Sequence, residues 1–230
     1  MARPEKPIIS RERAARAALG VIDTHGLDAL SLELVARRLG VKAPSLYYHF
    51  KNKAAILSDV ALLILREEIE APQPNSEDWE EMLTGLCVDT RRGILRHPNA
   101  APLMLQYFPR HILLGAYDYW TAQCPYPAEI QMVILDGTEK LTFGSALFEA
   151  AARANSVEPM PEFDPKKYPD LARAVRANPY DNEELFAQTI KAFLAGFRNT
   201  PHAEKKKSKK TPKIGKHKSE KAEADVPQAD

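Results

Sequence analysis

Apolar residues recur along most of this chain at three- and four-residue intervals, and no run alternates with period two for long, so the pattern predicts helices throughout. Ser10 is placed to cap a first helix, with Glu12 in its first turn and Ala15, Ala18, Leu19 and Ile22 on one face. Gly26 ends it. A second helix starts near Ser31, buries Leu34, Val35 and Leu39, and stops at Gly40. Pro44 falls in the first turn of a third short helix ending near Phe50, where its missing N–H costs little. Asn52 then caps a long fourth helix, 52–69, with a stripe of Leu57, Val60, Ala61 and Ile64.

Two short helices separated by a glycine turn inside a three-helix unit form a helix-turn-helix pattern. Gly40 supplies the backbone freedom of the turn, Val41 plugs the angle from inside, and the next helix presents its outer side chains to a major groove. Helical hairpins without a DNA function share this periodicity, so the pattern alone leaves both readings open.

Beyond Pro72-Gln73-Pro74-Asn75, Ser76 caps a helix carrying Trp79, Leu83, Leu86, Thr90 and Ile94, which ends at His97-Pro98. Further helical segments run over about 100–108, 109–123, 127–154, 169–178 and 182–198, broken at prolines, for about ten helices in all. The segment from Ala128 bears a stripe of Ile130, Val133, Ile134, Gly137, Leu141, Gly144, Leu147, Phe148 and Ala151. Glycine inside a helix costs about 1 kcal/mol, so Gly137 and Gly144 ask for a helix in close approach. The last helix offers Leu185, Thr189, Ala192, Phe193 and Gly196. Two such helices from each of two chains would form a four-helix interface, with packing within one chain as the competing reading of the glycines.

Charge divides the chain. Residues 1–55 carry ten Lys or Arg against five acids, residues 56–203 carry thirteen against twenty-one, and residues 204–230 carry nine against five. The net charges of +5, −8 and +4 describe a basic head, an acidic body and a basic tail, and suggest that the head meets a polyanion. The Lys-rich stretch 201–230 is too poor in apolar residues to offset its own ordering entropy and is expected to be disordered. It serves either solubility or non-specific phosphate contact.

The longest apolar run, Val60 to Leu65, is far too short to span a bilayer, and no secretory leader is visible. Two widely separated cysteines, Cys87 and Cys124, fit a reducing cytoplasm, without disulfide framework, metal site or cofactor. No phosphate-binding glycine loop, serine elbow or His-Glu-x-x-His points to an enzyme. Cys87 with His97 could be drawn as a dyad, but cysteine on an apolar helix face is more often inert.

Leu34-Val35-Ala36-Arg37-Arg38-Leu39-Gly40-Val41, then Pro44-Ser45-Leu46-Tyr47-Tyr48-His49-Phe50-Lys51-Asn52-Lys53 with Leu57 beyond, resembles the DNA-binding domain of the tetracycline-repressor (TetR) family. The resemblance is close over residues 10–57. Trp79, Leu83, Arg91, Arg92, Leu95 and His97 also resemble the helix that opens the ligand domain in relatives of the tetracycline repressor.

The resemblance implies an all-α protein: a helix-turn-helix head over residues 1–55, helix four linking the halves, and a helical ligand-binding and dimerisation domain over 70–200. Tyr47, His49 and Lys53 would contact phosphates, the last from the start of helix four. Ser31, Lys42, Ala43, Pro44, Ser45 and Tyr48 would complete the DNA-contacting set, with Leu46 and Phe50 inward. Ordinary packing is the competing reading for Tyr47 and Tyr48, although two adjacent aromatics cannot both face one small core from a helix. The family reads bases with long polar residues at positions matched here to Leu32 and Ala43, neither of which can make a bidentate contact. Base readout would therefore lean on Lys42, Ser45 and Tyr48, or on DNA shape.

In the body, Met104, Tyr107, Phe108, Tyr117, Trp120, Met132 and Phe143 form an aromatic- and methionine-rich middle. Such a group is either plain core or the lining of an effector cavity, with His97, Gln106, His111, Tyr117 and Glu139 as polar anchors. Three functions stay in view at this point. One is a dimeric repressor released from a double-stranded DNA operator by a small apolar or amphipathic effector. Another is an activating or architectural DNA-binding factor with no effector. The third is a helical interaction protein that has lost DNA binding.

Overall fold

The structure, a computed structural model, describes residues 10–69, 78–108, 110–158 and 160–198, and it is all-helical. The expected Lys-rich tail and the Ser76 cap lie outside the described residues. Ten α-helices and one 3-10 turn occur among those described.

In the head, α1 (Arg11–His25) starts where Ser10 Oγ accepts from the Arg13 N–H and ends at Gly26 with φ 82°. Helix α2 (Leu32–Leu39) starts where Ser31 Oγ accepts from the Leu34 N–H. It closes in a six-residue loop from the Val41 N–H to the Ala36 carbonyl, 3.0 Å, with Gly40 left-handed at φ 69°. Helix α3 (Ala43–Tyr47) stops two or three residues earlier than the periodicity suggests. The Asn52 side chain accepts from the Ala55 N–H at 2.9 Å and opens α4 (Lys53–Ile69).

In the body, α5 (Trp79–Arg96) is capped by Asp78, whose carboxylate accepts from Glu80 and Glu81. The expected helix 100–108 becomes a 3-10 turn at Pro98–Ala100 and a single-turn α6 (Leu103–Gln106). Then follow α7 (Arg110–Gln123), α8 (Ala128–Ala154), α9 (Pro169–Ala177) and α10 (Asn182–Ala195). A capping box between Asp181 and Glu184 begins α10.

Two apolar clusters hold the helices together. The first runs from α1, α2 and α3 through α4 to Ile94, Leu95, Leu103 and Met104, and reaches Ala146 and Ala150 of α8. The second gathers Trp79, Leu83 and Cys87 of α5, Tyr126, Ile134, and Phe186, Ile190 and Leu194 of α10. Helix α4 packs on α1, α5 and α6, so it touches both halves of the chain.

The two glycines of α8 have different neighbours. A Cβ on Gly137 would collide with Phe193 Cζ, so Gly137 serves the approach of α10 of the same chain. A Cβ on Gly144 would meet nothing within 4 Å. Of the expected α10 stripe, Leu185, Thr189, Ala192 and Gly196 are exposed and Phe193 is half-buried. The buried face of α10 is Phe186, Ile190 and Leu194. No helix among the described residues is long and apolar enough to cross a membrane.

Candidate nucleic-acid interface

The geometry of the head follows from two side chains pulled inward. Leu46 and Phe50 are fully buried, which fixes the rotation of α3 and turns its opposite face to solvent. Lys42, Pro44, Ser45, Tyr47, Tyr48 and Lys53 are exposed, while Ala43 and His49 are half-buried. Tyr48 is 91% exposed, far more than a tyrosine serving as core would be. It lies edge-on to His49 at 5.9 Å between ring centroids. Ser31 is half-buried at the start of α2, its oxygen occupied by the cap. Arg37, Arg38 and Lys51 are exposed as well. The surface around α3 is thus cationic and aromatic, the combination that phosphate and base-edge contact requires.

Leu32 does not sit where the sequence reading puts it. It is only 6% exposed and belongs to the first apolar cluster, so it faces no groove at all. The exposed residue of that turn is Glu33, whose carboxylate accepts from the Tyr47 hydroxyl at 3.4 Å. A one-residue error in helical phase, about 100°, accounts for the difference.

Arg11 is the participant that sequence reasoning missed. Its Nε–H and Nη2–H donate to the two carboxylate oxygens of Asp59 at 2.9 and 3.0 Å. Its Nη1–H donates to the His49 carbonyl at 2.9 Å, and its guanidinium lies 4.7 Å from the Phe50 ring centre. These contacts span 38 to 48 residues of sequence, and no local pattern marks them.

The residues expected to line an effector cavity are not brought together as one set. His97 Nδ1 instead lies 2.9 Å from Asp23 Oδ2, and Asn99 Nδ2–H donates to the Asp23 carbonyl, tying the turn after α5 to the end of α1. Gln106, His111 and Met132 are exposed, Met104 is buried in the first cluster, and Trp120 packs edge-on to Trp79 in the second. Phe108, Tyr117 and Phe143 do converge at the seam of α7 and α8. Phe108 and Phe143 stack edge to face at 4.9 Å, and Arg110 lies over Phe108. Both Arg110 and Tyr117 donate to Glu139. Desolvation, then the bond to the Glu139 carboxylate, raises the Tyr117 phenol above its ordinary pKa.

Between α8 and α10 lies an open groove of about 770 Å³, with Leu141, Gly144, Phe148, Leu185 and Phe186 among its lining residues. The buried Arg91 forms part of the same lining and pairs with Glu149. Burial pushes the Cys87 thiol up to about 11, the reverse of what a nucleophile needs. Among the described residues no group of three or more His, Cys, Asp or Glu is placed to hold a metal ion.

Comparison with known proteins agrees with this layout. Residues 15–60 match a sequence profile described as bacterial regulatory proteins, tetR family. The class D tetracycline repressor protein of Escherichia coli is 26% identical over 197 residues, covering 82% of this chain and 89% of the repressor. The class C repressor of the same organism is 35% identical over 95 residues, 40% of this chain and 43% of that protein. Among solved structures, the Streptomyces coelicolor protein ActR in complex with actinorhodin superposes with a TM-score of 0.62 at 22% identity, covering 83% of this chain and 97% of that one. TetR from Acinetobacter baumannii AYE gives 0.59 at 23%, covering 82% and 96%. At such identities the structural likeness establishes the fold.

Proposed function

We propose, from the match of residues 15–60 to the tetR family of bacterial regulatory proteins and the likeness to tetracycline repressor proteins, that this chain is a helix-turn-helix regulator of that family, a dimeric repressor released from its operator by a small apolar or amphipathic effector. The supporting observation is the rotation of α3: Leu46 and Phe50 are buried while Lys42, Pro44, Ser45, Tyr47 and Tyr48 point outward. In this reading residues 1–55 form the DNA-binding head and residues 70–200 the ligand-binding and dimerisation body. Tyr47, His49 and Lys53 hold phosphates, with the N-terminal end of α4 at Lys53. Ser31, Lys42, Ala43, Pro44, Ser45 and Tyr48 line the groove. Two such heads meet successive major grooves when a dimer sets them about 34–36 Å apart.

The dimer forms on the α8 and α10 face, where Phe148 is 83% exposed and Gly144 is open. The effector site is the α7–α8 seam. There Phe108 and Phe143 offer aromatic surface, and Tyr117 and Glu139 offer polar anchors, a fit for an amphipathic molecule. Displacement of α7 or α8 is transmitted through α5 and α4 to the head, shifting the population between operator-competent and released conformers.

The experiment is selection of a duplex from a random pool by the wild-type protein, followed by binding at several salt concentrations. Lys53→Ala should reduce the slope of log affinity against log salt by about one, and Tyr48→Ala should weaken binding without changing that slope. Enrichment of no duplex, or wild-type binding by both variants, would refute the assignment.

A further inference from the structure

We propose that Arg11 is a positioning residue for DNA recognition: from the first turn of α1 it locks the C-terminal end of α3 onto α4, so operator selectivity depends on it although it reads no base. The inference rests on the DNA-binding reading above and adds a residue that neither the pattern nor the resemblance singles out.

Helix α3 is five residues long and cannot hold its own orientation. Its last turn closes with two N–H groups, those of His49 and Phe50, both on the Leu46 carbonyl. The carbonyls that follow need donors from elsewhere, and Arg11 Nη1–H supplies one to His49, the residue adjoining Tyr47 and Tyr48. The same guanidinium is anchored on Asp59 of α4 by two parallel bonds of 2.9 and 3.0 Å and rests on the Phe50 ring. One planar group therefore joins α1, the end of α3 and α4.

The arrangement argues against a phosphate contact. Three nitrogens of the fork already donate within the protein, and Asp59 neutralises the cation. A phosphate approaching Arg11 would have to displace a carboxylate from a bidentate pair. Lysine at this position would keep the charge and lose the planar fork, so it cannot reproduce the two parallel bonds to Asp59 while also donating to the His49 carbonyl.

Binding of two duplexes separates the alternatives: the one wild-type protein enriches from a random pool, and a random-sequence duplex of equal length. The proteins are wild type, Arg11→Lys, Arg11→Ala, Asp59→Asn, and the Arg11→Lys with Asp59→Asn double variant, each checked by circular dichroism melting. The expectation is that Arg11→Lys weakens the selected duplex about tenfold, leaves the random duplex within about twofold, and keeps the wild-type salt slope. Asp59→Asn should lose selectivity in the same direction, and the double variant should be no worse than Arg11→Lys, because both act on one lock. Where Arg11→Ala fails to fold, the lysine and asparagine variants carry the comparison.

Wild-type selectivity in Arg11→Lys, or a salt slope reduced by about one in Arg11→Ala with parallel loss on both duplexes, would make Arg11 a phosphate contact and overturn the proposal. A wild-type protein that enriches no duplex overturns the DNA-reading function itself, and the proposal with it.

Discussion

Arg91 and Glu149 allow a direct energetic test of how the body is held. Their side chains are 4% and 13% exposed. Arg91 donates to Glu149 and, through Nε, to Ser145 Oγ at 3.0 Å, and its guanidinium lies 5.3 Å from the Phe186 ring centre. Arg91→Met removes the buried cation and leaves the carboxylate with Arg153, a partner whose own side chain is half exposed. Stripping one member from a buried pair costs about 3–5 kcal/mol. The remaining Arg153 contact, at 2.5 Å, places this variant near the lower end, about 3 kcal/mol. For a chain of this size each kcal/mol lowers Tm by about 2–4 °C, so the expected fall is about 6–12 °C. The double variant Arg91→Met with Glu149→Met should recover most of it, since no buried charge is left without its partner. Melts must be recorded at one protein concentration, because the proposed dimer would make Tm depend on it. A loss below about 1 kcal/mol in Arg91→Met, or a double variant as unstable as the sum of the singles, would refute the reasoning.

Phe148→Glu should yield a monomer by sedimentation with helicity unchanged, because the ring touches little of its own chain; a persisting dimer would place the interface elsewhere. In that monomeric background Gly137→Ala should destabilise, its new carbon colliding with Phe193 at a cost of about 1–3 kcal/mol. Gly144→Ala should stabilise by about 1 kcal/mol, as helix propensity alone acts there, and urea unfolding in which the two change places would contradict the packing described. The hydrogen bond from Arg92 holds the Glu183 carboxyl below its ordinary pKa. A lowered folded-state value stabilises above the unfolded pKa, near 4.5, and that contribution is lost as pH falls through the folded value. Glu183→Gln should therefore lose stability at neutral pH and show a shallower acid limb in melts between about pH 5 and 3; an unchanged limb would count against the pair.

Local chemistry made the punctuation of this chain legible before any coordinates. The family resemblance places Leu46 and Phe50 inward, as they are found; Ser10 and Asn52 cap their helices, and Gly26 and Gly40 end theirs with positive φ. Each of these caps and stops depends on residues at most a turn apart. Finer phase was lost at Leu32, where neighbouring polar and apolar residues admit two rotations of a short helix. Two acceptable caps stand close together before α5, and nothing local prefers Asp78 over Ser76. Partnerships across the fold were illegible: Arg11 with Asp59, and His97 with Asp23. Met132 illustrates the same limit, since apolar character did not reveal that its side of α8 stays bare.

The apolar cluster that begins in α1 does not stop at the end of α4 but continues into Ile94, Leu95, Leu103, Met104 and the small residues of α8. A graft that moved residues 10–69 onto a foreign regulator would strand Leu63, Ile64 and Leu65 without the surfaces that keep them dry. Chimaeras built on this head must therefore transplant the seam as well, or rebuild the host to match it.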